Sequence, residues 1–260
     1  MTELLAILQL ARNDFSYFFR TKWLMAVLLS LNLSDMLVVA LVYKQIIPIS
    51  KINYFQFFVP AVVVMGMFVA ALDTGRRIWL AIREGVIQYY LSLPISTPGI
   101  VVAYLLAGGL SAMVYSASLL LVALVVLPVA TVGNTLLLLP FLFFLAMGLA
   151  GISAALAAVA STHGEYFFAY QQVVQILLLT LSTVYYPIEI IRNYLPTFLT
   201  SLVSANPLSL AAQAMRNTFL GNPVQPFSLL NILLASLPFT VIGAVAYLSA
   251  LRTIQAKGKM

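Results

Sequence analysis

Six stretches of about 20 or more mostly apolar residues dominate this chain, and that is the length an α-helix needs to cross a hydrocarbon core about 30 Å thick. They run from Trp23 to Tyr43, Phe55 to Leu72, Ile100 to Leu127, Leu136 to Ala160, Phe167 to Tyr186, and Phe227 to Leu251. Because 63% of the 260 residues are hydrophobic and only 8% are charged, a water-facing exterior cannot be assembled, and the bilayer must be the solvent. The expected fold class is an all-α integral membrane protein with six transmembrane helices, in one domain over residues 1–260.

Composition removes several kinds of chemistry. With no Cys and one His, thiolate zinc sites, disulfide frameworks, cysteine nucleophiles and histidine-rich metal centres are excluded. His163 and Glu165 alone lack the three protein donors that a zinc site needs, so they read as a solvated turn. The net charge of +6 comes from cations set mostly beside the apolar segments, which is a topology signal and not a nucleic-acid footprint. Arg12, Arg20, Lys22, Arg76, Arg77, Arg83, Arg252, Lys257 and Lys259 fall on one side, against the more dispersed Lys44, Lys51, Arg192 and Arg216 on the other. The positive-inside rule therefore predicts both termini in the cytoplasm.

Three segments depart from simple spans. In residues 1–22, Leu4, Leu8, Ala11, Phe15 and Phe18 recur at helical spacing opposite Gln9, Asn13, Ser16 and Arg20, which predicts an amphipathic helix in the cytoplasmic headgroup layer and not a cleaved signal peptide. Residues 73–98 are the most polar part and predict a cytoplasmic segment with one or two short helices, stopped by Pro94 and Pro98. Residues 187–226 are too apolar for water and too long for a turn. They predict two helices, from Ile188 to Ser204 and from Leu208 to Leu220, dipping into the outer leaflet before the sixth span.

Certain motifs in these segments resemble a known family. Arg83-Glu84-Gly85-Val86-Ile87-Gln88-Tyr89-Tyr90-Leu91-Ser92-Leu93-Pro94-Ile95-Ser96 follows the second span; Tyr186-Pro187-Ile188-Glu189 ends the fifth, before Leu195-Pro196; Asn206-Pro207-Leu208 then precedes Arg216. In this order they resemble the membrane subunits of type 2 ATP-binding-cassette exporters, in the branch related to nodulation-factor and anthracycline exporters. Leu93 stands where that family more often has Thr or Ser, and Gln88 where Glu is common. The resemblance implies a permease in a prokaryotic plasma or inner membrane, paired with a second copy of itself or a paralogous permease, moving a drug, lipid, glycolipid or oligosaccharide outward. It also implies an ATPase partner docking on Arg83, Glu84, Gly85, Gln88, Tyr89, Tyr90, Leu91, Pro94 and Ser96. No G-x-x-x-x-G-K-[ST] loop occurs in this chain, so ATP and Mg would be bound by that partner and the chain itself is not expected to be an enzyme.

Within the spans, Asp35 reads either as a group lining the path or dimer seam, hydrogen-bonded to Asn32, Ser34 or a partner subunit, or as a protonated carboxyl satisfied by a neighbouring helix, because an intramembrane carboxylate costs roughly 2.5–3.5 kcal/mol. Gln171, Gln172 and Gln175 form either a polar gate or simple interhelical hydrogen bonds. Tyr185, Tyr186 and Tyr194 fit an aromatic belt, and the resemblance makes Tyr185, Tyr186, Glu189 and Asn206 further candidates for the path. Small residues from Gly148 to Ala158 predict a close helix contact. An ion-gradient carrier or channel would use Asp35 directly and show internal repeats, of which none is evident. A lipid enzyme would need more carboxylates than the one beside Arg76 and Arg77.

Overall fold

The computed structural model describes residues 3–46, 53–127, 132–160 and 166–257. Among these the regular structure is helical throughout. His163 and Glu165, with Lys51 and Lys259 of the charge pattern, lie outside the described residues.

The chain begins with α1 (Glu3–Arg20) and turns at Thr21 into the first span. That span is α2 (Lys22–Ser34), a π-helical turn (Asp35–Val39) and α3 (Ala40–Ile46). α4 (Tyr54–Arg83) is the centre of the molecule, packed on α6 (Thr97–Val126), α7 (Val132–Ala160) and α11 (Pro207–Phe219), and buried along nearly its whole length. α5 (Val86–Ser92) connects α4 to α6. α8 (Phe167–Thr180), α9 (Ile188–Tyr194) and α10 (Thr197–Ala205) follow α7, and α12 (Pro226–Lys257) closes the chain against α7.

Two apolar clusters divide the interior along α4. One gathers Phe57, Phe58, Met67, Tyr115, Leu145, Leu208 and Met215 around its first half. The other gathers Leu10, Ile78, Trp79, Ile87, Tyr104, Phe167 and Tyr247 around its last turns, and so recruits α1, α5 and the ends of α6, α8 and α12. The small residues of α7 make the expected close contact: a Cβ on Gly151 would stand 2.8 Å from the Phe239 carbonyl oxygen of α12, so the two backbones touch.

Four expectations about the elements need correction. Asp73 to Arg83 is not a separate polar segment but the continuation of α4. The helix survives there because its polar groups find partners inside the protein. Ser153 Oγ of α7 accepts from Gly75 N at 3.0 Å and donates to the Leu72 carbonyl, and the charges of residues 73, 76 and 77 pair with one another and with Asp14.

The fifth apolar stretch is helical over only part of its length. Five helices have the length and composition to cross a membrane, among the described residues, whereas α8 has 14 residues, or about 21 Å at 1.5 Å per residue. It ends because the Ser182 hydroxyl donates to the Leu179 carbonyl at 2.6 Å and accepts from Val184 N, offering the backbone an alternative to the helix.

The segment before α12 holds three helices, not two. Leu195, preceding Pro196, is held extended at φ −108° and ψ 147°, which breaks the expected Ile188-to-Ser204 helix. On α1, finally, Leu4 and Leu8 are exposed, while Ile7, Leu10, Ala11, Asp14 and Phe18 face inward, so the buried stripe is rotated from the expected one and contains a carboxylate.

Candidate functional site

A cavity of ≈ 430 Å³ lies between the first span and α8. On α8 the side chains at 168, 171, 172, 175 and 179 share one helical face and line it; from the first span come Leu28, Leu31, Asn32 and Asp35; α4 adds Met65, Val69, Asp73 and Arg76. The π-helical turn begins at Asp35, and its extra residue bulges the helix where that carboxyl enters the wall. Asn32 does not bond Asp35: its Nδ2 donates to the Leu28 carbonyl and to the Tyr115 hydroxyl, both at 2.9 Å. Asn32 Oδ1 and Gln171 Oε1 are buried acceptors without a partner, so the wall offers unused hydrogen-bonding capacity.

Of the residues expected along a path, Asp35, Gln171, Gln175 and Tyr185 come together on this cavity, with Gln172. Tyr185 also donates to Met65 Sδ at 3.4 Å and stacks on Phe58 at 5.8 Å. Three others sit elsewhere. Tyr186 is exposed, and Glu189 lines a different cavity beside Arg216. Asn206 is buried as the N-cap of α11, where its Oδ1 accepts from Leu208 N at 2.9 Å and its Nδ2 donates to the Leu178 carbonyl at 2.9 Å and to that of Leu181. It serves the α8 terminus, not the cavity. Sequence reasoning missed Asp73 and Arg76 as wall residues; their i,i+3 spacing on an apolar helix was the available signal.

Asp73 joins this cavity to an ionic cluster. Its carboxylate meets Arg76 Nε at 2.6 Å and Arg77 Nε at 3.5 Å, and Arg77 Nη1 reaches Asp14 Oδ2 at 3.1 Å. Arg77 also donates to Thr74 Oγ1 at 3.2 Å and lies 5.2 Å from the Phe18 ring centroid. Burial pushes the Asp14 carboxyl up to about 6, the Arg77 guanidinium pulling against it.

At the same end of the spans, Gly85 adopts φ 76°, a left-handed conformation that caps α4 and starts α5. Arg83 lies over the Trp79 ring at 5.2 Å. Ile87 is the fully buried anchor of α5, and Gln88 and Tyr89 point outward, Tyr89 being 62% exposed. Tyr90 and Leu91 turn the other way and are half-buried against the second apolar cluster. Tyr90 and Glu84 line a further cavity of ≈ 420 Å³ with Asp14, Arg20, Arg77 and Tyr104. Pro94 is exposed. Ser96 is the N-cap of α6, accepting from Gly99 N at 3.1 Å while donating to the Glu3 carboxylate of α1. The expected docking residues therefore divide into an outward set and a set that ties α5 and α6 to α1.

Span-length helices around a polar wall cavity define a helical membrane protein, and the family match adds its class. Residues 6–220 match the family model of the ABC-2 type transporter, and the chain belongs to that family. It is a transmembrane permease component of an ABC transporter and not a nucleotide-binding domain; permeases of this family normally work with an ATPase subunit. No curated protein matches the chain.

Proposed function

We propose that this permease exports an amphiphilic, lipid-linked or glycan substrate or drug across a prokaryotic cell membrane, as a dimer of itself or with a paralogue, driven by an ATPase docked at α5. In this reading both termini and α5 are cytoplasmic, α9 to α11 re-enter the outer leaflet, and the cavity beside Asp35 is one copy's half of the path. The carrying observation is that cavity: Asn32, Asp35, Gln171, Gln172 and Gln175 converge between two helices whose outward residues, Val27, Val173 and Ile176, remain exposed. A cavity with a few convergent polar groups on apolar walls suits an amphiphilic ligand. The family favours an ATP-driven pump over an ion-gradient carrier using Asp35. The order of the motifs keeps the branch related to nodulation-factor and anthracycline exporters as part of this proposal.

Reconstitution with the ATPase subunit tests the reading. Gln171→Leu with Gln175→Leu, or Asp35→Leu, should reduce outward transport about tenfold, the scale of one lost hydrogen bond to a charged or buried polar group, with basal ATP hydrolysis retained. Undiminished transport in these variants would remove the cavity from the path.

A further inference from the structure

Arg216 of α11 is 3% exposed, and its guanidinium, always charged, is held by backbone carbonyls: Nε donates to Phe57 O at 2.8 Å, and Nη2 donates to Thr183 O at 2.6 Å and Val184 O at 3.2 Å. The Phe57 ring lies 3.5 Å from the guanidinium carbon. Among the described residues no carboxylate forms an ion pair with it. Nη1 is buried and has no hydrogen-bond partner. Arg216 lines a cavity of ≈ 220 Å³, at the opposite end of α4 from Arg83, shared with Asn53, Gln56, Gln213 and Glu189. Carbonyl dipoles and a ring face compensate a buried cation incompletely, and a planar N–H group without a partner matches an oxyanion. Glu189, on α9, is exposed at this cavity and forms no ion pair with Arg216.

One cavity thus presents a buried cation and a separate carboxylate, with three amide side chains on the same wall as donors and acceptors. We propose that it binds a zwitterionic aminophosphate, the phosphate on Arg216 Nη1 and the primary ammonium on Glu189. Its volume lies below the roughly 300–1,000 Å³ of drug-sized sites, which fits a headgroup. The same chemistry is offered by a phosphatidylethanolamine lipid or by a free ethanolamine phosphate ester.

The test is native mass spectrometry of the full chain, delipidated in detergent, with phosphatidylethanolamine or phosphatidylglycerol of identical acyl chains. Wild type should retain the ethanolamine lipid about tenfold better, the scale of one charge-assisted hydrogen bond. Glu189→Gln should erase that preference and Glu189→Lys should reverse it; both changes sit on an exposed side chain and spare the contacts of Arg216 to Thr183 and Val184. Displacement of the lipid by soluble glycerophosphoethanolamine shows that the free headgroup suffices, whereas retention against it shows that the lipid is the source, and either result upholds the site. Equal retention of both lipids by wild type, or an unchanged preference in Glu189→Gln, overturns it. Because binding in detergent depends on neither ATP nor transport, that failure would leave the exporter reading standing.

Discussion

Arg77 Nη1 on α4 stands 3.1 Å from Asp14 Oδ2 on α1 and donates to the Asp14 carbonyl oxygen at 2.9 Å, so one side chain pins both the charge and the backbone of the first helix. Their side chains are 1% and 9% exposed. The contact ties a helix that lies along α6 to the central helix of the molecule, and through Asp73 it continues to the wall of the polar cavity.

That burial makes stability depend on pH. The Asp14 carboxyl titrates at about 6 in the folded protein against 3.8 ordinarily, so the fold favours the protonated form. Stability from this group is full below about 4 and lost as pH rises through about 6, a swing of about 3 kcal/mol for two pKa units. Thermal unfolding in detergent across this range should show wild type losing stability with rising pH and Asp14→Asn losing less. Identical slopes would disprove the assignment.

Gly85 sets the angle between α4 and α5 through its positive φ, with open space around its Cβ direction, the nearest atom being Gln88 Oε1 at 3.6 Å. The penalty for a side chain is therefore one of backbone conformation and not of collision. Gly85→Val should cost roughly 1–2 kcal/mol and uncouple ATP hydrolysis from transport, while Gly85→Asn, which tolerates the left-handed region, should retain more coupling. The ratio of transport to ATP hydrolysis in proteoliposomes decides it; equal ratios for the two variants would mean the joint carries no force.

On α5, the outward Tyr89 and the inward Tyr90 separate docking from folding. Tyr89→Asp should weaken co-purification of the ATPase with little change in melting temperature. Tyr90→Asp should instead lower stability by about 1–3 kcal/mol, the cost of an unpaired polar group half-buried against the second apolar cluster. If Tyr89→Asp leaves the ATPase firmly bound, the docking surface lies elsewhere.

The chain has no cysteine, so single substitutions report proximity directly. Leu31→Cys and Val173→Cys, on exposed faces beside the cavity, should crosslink two copies in the membrane, and Val245→Cys on α12 should not. Crosslinking at Val245 alone would move the seam to the other side of the bundle.

Membrane residence, the helical class, the order of the spans and the motif carriers around Gly85, Pro187 and Asn206 were all decided by local sequence, because length and hydropathy act residue by residue along the chain. The amphipathic character of α1 and the small face of α7 were legible for the same reason. Tertiary structure alone decided where helices stop and which polar groups are paired. Polar Asp73 to Arg83 stays helical because Ser153, Asp14 and the helix's own charges satisfy it from positions distant in sequence, and apolar Leu181 to Tyr186 leaves the helix because Arg216 and Asn206 accommodate its carbonyls. Hydropathy cannot see a partner that the fold delivers. In a medium without water, it is that partner that determines whether a backbone or a charge is tolerated.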